Sequence, residues 1–267
     1  MRRLASNAAA LRRLIETGIT VGAVSEELYC VEESDISDGL WDDLRRRGFD
    51  RCGVHQDDRI IGYVERPDVS GGAGDIRTMS VDQLVAESTP LWQAMPRLAE
   101  SRWLFVLTPT GPDGIATAGD LAKQPARLLM FGVISLLEMT MLTLIRQTYP
   151  DGGWLGMLKP QRVEHAKGLL QQRQQKGQDI DLADCLQWCD KATVCMGTPE
   201  VMSAWAFQSK AACRRVFRHA ESLRNQLAHA QHPAPDGDWC KAVHVLRDAD
   251  RLITANLKLL GMDERDD

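Results

Sequence analysis

The spacing of hydrophobic positions changes near residue 125. Before that point, short β-branched or aromatic runs alternate with stretches whose apolar residues recur at helical spacing. Beyond it, apolar residues recur three or four positions apart over long stretches, which is typical of amphipathic helices. The chain is therefore predicted to be α+β, with a first domain over residues 1–124 that contains strands and an all-α domain over residues 125–267.

The first 124 residues contain an internal repeat of about 50 residues. A helix over residues 3–16 precedes it, and each copy consists of a helix followed by a strand, a turn and a strand. A composition rich in glycine predicts a flexible linker at residues 71–75 between the copies. The predicted elements are a strand at 19–24, a helix at 35–47, a strand pair around the turn at 56–58, a helix at about 88–100 and a strand at 103–107.

This layout, together with the stretch Gly114-Ile115-Ala116-Thr117-Ala118-Gly119-Asp120, resembles a tandem pair of CBS domains, which are β-α-β-β-α modules. The resemblance implies that Thr117 meets phosphate and that Asp120 accepts from ribose hydroxyls. In the first copy, Glu65 stands where Thr or Ser is expected, whereas Asp68 keeps the acidic position. One competent site is therefore expected, and the candidate nucleotide-binding residues are Thr117, Asp120 and Asp68. The alternative is that Thr117 and Asp120 only cap the helical turn at Leu121.

Five helices are predicted after Pro125, and they form a bundle. Their apolar positions define one face of each helix, and Asp-Gly-Gly and Pro-rich segments separate them. The predicted helices cover residues 126–148, 161–178, 181–191, 199–231 and 239–260.

The helix predicted at 199–231 contains the residues best suited to phosphodiester chemistry. Arg224 can donate a fork of hydrogen bonds to phosphate, Asn225 can orient a hydroxyl or phosphate, and His229 can accept and donate a proton. At about 100° per residue, Asn225 and His229 share a face with a basic stripe, whereas Arg224 lies about 140° from His229. Either the helix is distorted, or a second copy of the chain completes the site. The stripe consists of Lys210, Arg214 and Arg218.

The pattern Arg-Asn-x-x-x-His, with Glu138 as an acid in the first bundle helix, resembles the HEPN superfamily over about residues 126–262. Many members are metal-independent ribonucleases that work as homodimers. The resemblance implies that Arg224, Asn225 and His229 are catalytic, that Glu138 supports them, and that the basic stripe binds single-stranded RNA. The toxin branch of the family often carries Tyr two residues after the His, where this chain has Gln231. The alternative is that Arg224 is a structural arginine paired with Glu138.

The two resemblances together imply a ribonuclease in stress response or defence that needs no cofactor for catalysis. Its products would carry 2′,3′-cyclic phosphate, and an adenine nucleotide or nucleotide second messenger would regulate it. A cytoplasmic location is expected by default, because Arg12 and Arg13 interrupt any signal-type apolar core near the N-terminus. A further regulatory partner such as an antitoxin fits the toxin branch, although no residue of this chain identifies one. The second hypothesis is a non-catalytic, nucleotide-sensing protein whose bundle dimerises or docks a partner.

Composition limits these hypotheses without changing them. The chain is 44% hydrophobic and 26% charged with a net charge of −5, so RNA binding must rest on a local basic patch. The most apolar stretch, residues 128–145, contains Glu138, and no membrane association is expected. Seven cysteines at irregular spacing favour a reducing compartment. A zinc site at Cys185, Cys189 and Cys195 is disfavoured, because no CxxC pair exists.

Overall fold

The computed structural model describes residues 2–57, 59–71 and 74–262, and it is a mixed α+β protein with its sheets in the N-terminal part. The chain divides into two compact units, residues 16–126 (the sheet unit) and residues 1–15 with 127–267 (the helical unit). The N-terminal helix α1 (Arg2–Thr17) was assigned by sequence to the first domain, and the structure instead places residues 1–15 in the helical unit. The reason is tertiary, since Arg12 donates to Asp250 at 2.9 Å and to Thr254 at 3.0 Å.

The sheet unit contains two β-α-β-β-α repeats, preceded by strand β1 (Glu26–Glu27). The first repeat comprises β2 (Cys30–Glu32), α2 (Asp38–Arg47), β3 (Arg51–Gln56), β4 (Arg59–Glu65) and α3 (Pro67–Ser70). The second comprises β5 (Leu84–Ala86), α4 (Leu91–Ser101), β6 (Trp103–Thr108), β7 (Gly111–Thr117) and a 3₁₀ turn (Ala118–Ala122). The internal repeat predicted from the sequence is therefore present.

Each repeat has the same sheet topology. Strand β2 runs parallel to β3, and β3 is antiparallel to β4; β5, β6 and β7 repeat that arrangement. The segment before each repeat pairs with the other repeat, since β1 pairs with β7 and Arg77 forms a bridge with Tyr63 of β4. In the first repeat Arg51 of β3 pairs with Glu65 of β4, and in the second Trp103 of β6 pairs with Thr117 of β7. The strand register therefore confirms that Glu65 occupies in the first repeat the position that Thr117 occupies in the second.

The strand predicted at 19–24 is wrong. The structure has a 3₁₀ turn at Val21–Ala23, flanked by an isolated bridge between Thr20 and Pro90. The backbone N–H of Val21 donates to Thr89, at 2.9 Å, and that of Gly22 donates to Glu87, also at 2.9 Å. These hydrogen bonds to the loop between β5 and α4 satisfy the two backbone N–H groups without a neighbouring strand. β-branched residues here fill the core of the unit instead of specifying an extended segment.

The helical unit contains six further helices: α5 (Gln124–Thr148), α6 (Pro160–Gln175), α7 (Trp188–Gly197), α8 (Pro199–Trp205), α9 (Lys210–Ala228) and α10 (Trp239–Leu259). Two of the predicted helices are wrong in their bounds. The predicted helix at 181–191 starts too early: Asp181 and Asp184 exchange backbone-to-carboxylate hydrogen bonds at 3.0 Å around a 3₁₀ turn at Ala183–Cys185, and α7 starts only at Trp188. The helix predicted at 199–231 is broken, because Ala206 has a left-handed backbone with φ of 52° and Ser209 caps a new helix.

Helix α5 is long and apolar enough to cross a membrane, judged by length and composition. In this structure 56% of the apolar 18-residue segment of α5 is buried inside the protein. Its inward face includes Met130, Ile134, Leu137 and Met141, each fully buried. Within the protein, α5 serves as a core helix on which other helices of the unit pack.

A buried chain of hydrogen bonds connects three helices of the unit. The Trp205 indole N–H donates to Oδ1 of Asn256 at 2.7 Å, and Nδ2 of Asn256 donates to the Thr140 hydroxyl at 3.0 Å. All three side chains are at most 1% exposed. Buried polar groups of this kind are costly when a partner is removed.

Replacing Asn256 with leucine is expected to lower the free energy of unfolding by roughly 2–4 kcal/mol, because the Trp205 N–H loses its acceptor and Thr140 loses a donor. Urea unfolding measures the change. The matched control is Gln171→Leu on the exposed face of α6, which should change stability by less than about 0.5 kcal/mol. Equal stability of the two variants would contradict the role of the hydrogen-bond chain.

Candidate functional site

Helix α9 carries the residues singled out by the sequence, and its own pattern explains why it forms. The Ser209 hydroxyl accepts from the Ala212 N–H at 3.1 Å and so caps the first turn. One face of the helix is buried, as its apolar spacing predicts. The buried residues are Cys213, Phe217, Ala220, Leu223 and Leu227.

The opposite face of α9 carries the predicted basic stripe. Lys210, Arg214 and Arg218 are all exposed, and none of them makes an ion pair with another described residue. Asn225 and His229 are exposed as well and continue along the same face toward the end of the helix. The stripe and the two polar residues therefore form one accessible surface, the α9 surface.

His229 is the residue at which α9 ends. Its backbone has φ of −98° and ψ of 17°, and its N–H donates to the Asn225 carbonyl at 3.0 Å. The helix is regular up to Ala228, so it contains no distortion that would turn His229 toward Arg224. In the described part of the chain, the His229 side chain makes no hydrogen bond to Arg224 or Glu138. One chain by itself thus leaves Arg224 and His229 on different sides of the helix.

Arg127, which belongs to no motif recognised in the sequence, holds the backbone on both sides of His229. Its guanidinium donates to the Leu227 carbonyl at 3.0 Å and to the Gln231 carbonyl at 2.7 Å, and the side chain is only 9% exposed. The Leu227 carbonyl belongs to the last turn of α9, where carbonyls lack helical partners, and Gln231 lies just beyond the end of the helix. A basic residue at the start of an apolar helix was the available signal, although it does not reveal which carbonyls the arginine reaches.

Replacing Arg127 with alanine is expected to lower stability by about 2 kcal/mol, because charge-assisted hydrogen bonds to buried carbonyls are lost. The amides of residues 229–232 should also exchange with solvent faster, which hydrogen–deuterium exchange measures. Arg215→Ala, at an exposed position of α9, is the control and should change neither quantity appreciably. Unaltered exchange at 229–232 in Arg127→Ala would contradict the capping role.

Glu138 joins two cations from different helices. Its Oε1 accepts from Nζ of Lys191 at 2.7 Å, and its Oε2 lies 3.5 Å from Nε of Arg224. The Lys191 side chain is 7% exposed, that of Glu138 22%, and that of Arg224 37%. The structure therefore brings Glu138 and Arg224 together, which both the ribonuclease interpretation and the structural alternative require. The sequence does not predict the pairing of Lys191 with Glu138, because the two residues are 53 positions apart.

In the sheet unit, Thr117 and Asp120 bond to each other. Oδ2 of Asp120 accepts from the Thr117 backbone N–H at 2.6 Å and from its hydroxyl at 2.8 Å, and Oδ1 lies 2.8 Å from Nζ of Lys123. This is the capping arrangement that the sequence left open as an alternative. A ribose that approached Asp120 would have to share oxygens that already accept these bonds.

Thr117 and Asp120 border a cavity of about 390 Å³. Besides Asp120, the carboxylates of Glu26, Glu27 and Asp50 line it, and Arg51 is the cation among its lining residues. This balance disfavours phosphate groups and favours hydroxyl or amino groups that donate hydrogen bonds. Asp68 is not among the lining residues; it lies 3.8 Å from Arg45 and 3.6 Å from Arg66 on the surface. The structure thus brings Thr117 and Asp120 together and leaves Asp68 apart from them.

The three cysteines considered for zinc differ in environment. Cys185 and Cys195 are buried, and burial raises the pKa of the Cys195 thiol. Cys189 is exposed, and its sulfur accepts from Arg162 at 3.2 Å. In the described ranges, no group of three or more His, Cys, Asp or Glu side chains has the arrangement needed to hold a metal ion.

No family model matches the chain, and comparisons with curated proteins and with solved structures likewise find no match.

Proposed function

We propose that the helical unit is a metal-independent endoribonuclease that acts on single-stranded RNA as a homodimer. The observation that carries the proposal is the α9 surface, where Asn225 and His229 lie exposed at the end of a stripe of accessible cations. A phosphodiester backbone is attracted to such a stripe, and the His229 imidazole has ring nitrogens that can accept or donate a proton. The proposal agrees with the HEPN-like pattern of the sequence.

The reaction follows from the side chains. The ribose 2′-oxygen attacks the adjacent phosphorus, a new O–P bond forms, and the P–O5′ bond breaks. His229 either takes the proton from the 2′-hydroxyl or gives one to the leaving 5′-oxygen, and water makes the other of these two proton transfers. Arg224 stabilises the additional negative charge on the phosphoryl oxygens in the transition state, and Asn225 orients the phosphate. The products are a 2′,3′-cyclic phosphate and a 5′-hydroxyl, and no metal takes part in the reaction.

The proposed homodimer follows from the positions of Arg224 and His229. Arg224 lies beside Glu138 within the regular part of α9, and His229 stands at the end of the helix. Five residues of helix separate the two side chains by about 140° around the axis. A second copy related by a two-fold axis would supply the arginine that one chain cannot aim at its own His229.

The sheet unit is proposed to be the regulatory part of the molecule, as its CBS-like repeat suggests. The ligand would be an adenine nucleotide or a nucleotide second messenger, held beside Thr117 and Asp120. The carboxylates that line the cavity there can accept from ribose hydroxyls, and the lining cation, Arg51, is already paired with Glu65 at 3.2 Å. Binding would act on the nuclease by favouring one of two arrangements of the chain.

A second candidate function is a non-catalytic sensing protein whose bundle dimerises or docks a partner. Two observations favour it. Arg224 pairs with Glu138, as a structural arginine would, and Thr117 and Asp120 already form a complete cap. In this case the α9 surface would be a solvated helix face without chemistry.

One assay separates the two candidates. The purified chain is incubated with end-labelled single-stranded RNA in EDTA, with and without a series of adenine nucleotides, and the product ends are identified by mass spectrometry. Cleavage in EDTA that leaves 2′,3′-cyclic phosphate ends supports the ribonuclease. Intact RNA under every nucleotide condition excludes it and favours the non-catalytic protein. An altered cleavage rate with one nucleotide supports the regulatory role of the sheet unit.

A further inference from the structure

A groove of about 420 Å³ lies between α7 and α9, within the helical unit. Its lining combines apolar side chains with two arginines of the basic stripe. Trp188 and Phe217 are each 3% exposed, so the apolar part is a packed floor, whereas Arg214 and Arg218 are exposed and stand on the rim. The remaining lining residues are Cys189, Ala192, Thr193, Met196, Ala211 and Glu221.

The floor of the groove is held in place by contacts within the unit. The Trp188 indole N–H donates to the Phe217 carbonyl at 3.2 Å, and the two ring centroids lie 6.0 Å apart. An apolar recess whose walls are already fixed can receive a flat ring without reorganising side chains. Glu221 is the one carboxylate in the lining, and it can accept from an exocyclic amino group.

The groove is continuous with the proposed cleavage site. Arg214 and Arg218 line it and also belong to the α9 surface, which ends at His229. Eleven residues separate Arg218 from His229, which is roughly 16 Å along the helix axis. A single RNA strand laid along α9 would therefore place one nucleotide over the groove while another lies at His229.

We propose that this groove binds an unpaired nucleobase of the RNA substrate, with the adjoining phosphates on Arg214 and Arg218. Apolar surface for a ring next to guanidinium groups for phosphate is the combination by which proteins hold single-stranded nucleic acid. A base-paired nucleotide keeps its ring inside the duplex and cannot enter, so the groove selects single strands. This inference rests on the proposed ribonuclease function and adds a subsite to it.

Cys189 offers a direct probe of the groove, because its thiol is the exposed one among the described cysteines and lines the recess. Burial of part of the side chain raises the pKa of this thiol, so modification is carried out at mildly alkaline pH. The experiment uses the full chain as the His229→Ala variant, which binds RNA without cutting it. A short single-stranded oligoribonucleotide is added, and modification by a maleimide is followed at each cysteine by peptide mass spectrometry.

RNA is expected to slow the modification of Cys189 about fivefold or more and to leave Cys240, on α10, unaffected. Thr193→Trp, which fills the groove without changing charge, should weaken RNA binding at least tenfold by fluorescence anisotropy. The matched control, Gln171→Trp on α6, should bind as the parent does. Circular dichroism and thermal unfolding check that both variants are folded.

The outcomes separate the subsite from the nuclease. RNA cleavage by the wild-type chain, combined with an unprotected Cys189 and normal binding by Thr193→Trp, overturns the subsite and leaves the ribonuclease standing. Failure of RNA to bind at all, together with no cleavage by the wild-type chain, overturns both. Equal protection of Cys189 by duplex and single-stranded RNA also contradicts the subsite, since a paired base cannot occupy the groove.

Discussion

Replacement of His229 with alanine is expected to lower the rate of RNA cleavage by roughly 100- to 10,000-fold, the usual contribution of a general acid or base. His229 is exposed at the end of α9 and its side chain makes no hydrogen bond within the described ranges, so its removal should leave folding intact. Cleavage of single-stranded RNA in EDTA measures the rate, and urea unfolding verifies that stability is unchanged.

His219 is the matched control for this experiment, since it is another exposed histidine on the same helix but lies away from the basic stripe. His219→Ala should retain nearly full cleavage. Equal rates in His229→Ala and the wild-type chain would remove the catalytic assignment. Equal losses in both variants would indicate a general effect of altering α9 instead of specific proton transfer.

The dimeric site can be tested by mixing two inactive variants. In the proposed composite site, Arg224 of one chain acts with His229 of its partner. Arg224→Ala and His229→Ala chains that exchange at random should form heterodimers in which one of the two sites is intact, and about a quarter of wild-type activity should return. No recovery on mixing, with exchange verified by native mass spectrometry, would show that both residues must come from one chain.

Replacement of Glu138 with alanine is expected to lower the free energy of unfolding by about 3 kcal/mol, because it leaves the ammonium group of Lys191 buried without a counter-charge. The Lys191 side chain is only 7% exposed and lies 2.7 Å from Glu138. The effect should fall at the low end of the range for broken buried pairs, since the Glu138 carboxylate is itself 22% exposed. Urea unfolding at neutral pH measures the loss.

Glu164→Ala provides the comparison, because Glu164 makes an ion pair of almost the same length, 2.8 Å, with Lys167 on the exposed face of α6. That variant should lose less than about 1 kcal/mol. Removing both charges in the double variant Glu138→Leu with Lys191→Met should restore much of the stability. A double variant less stable than Glu138→Ala would show that the pair contributes more than the avoidance of a lone buried charge.

The Glu138 variants also bear on the function. Arg224 would lose the carboxylate that lies 3.5 Å from its Nε atom, and its side chain would gain freedom. Under the ribonuclease proposal, cleavage by folded Glu138→Ala should fall because the arginine is less well positioned. Under the structural alternative, stability changes and no activity exists to be affected.

Much of the fold was predictable because it rests on local spacing. The helix–strand–turn–strand part of each repeat, the division into a part with sheets and a helical part, and the exposed stripe on α9 all follow from periods of two or 3.6 residues. The equivalence of Glu65 and Thr117 also came from the sequence, and the strand register confirms it. Where elements were wrong, turn chemistry outweighed periodicity, as at Asp181 and Asp184.

By itself, then, the sequence determined the helix–strand–turn–strand part of each repeat and the face of α9 that stays in water, since both depend on neighbours a few positions apart. Tertiary structure decided the pairing of Glu138 with Lys191, the cap that Arg127 places on the end of α9, and the groove beside Cys189. The Glu138–Lys191 pair and the Arg127 cap join residues 53 and 100 positions apart, which no local pattern relates. They arise only when packing of the apolar faces brings separate helices together and each buried charge must find a partner.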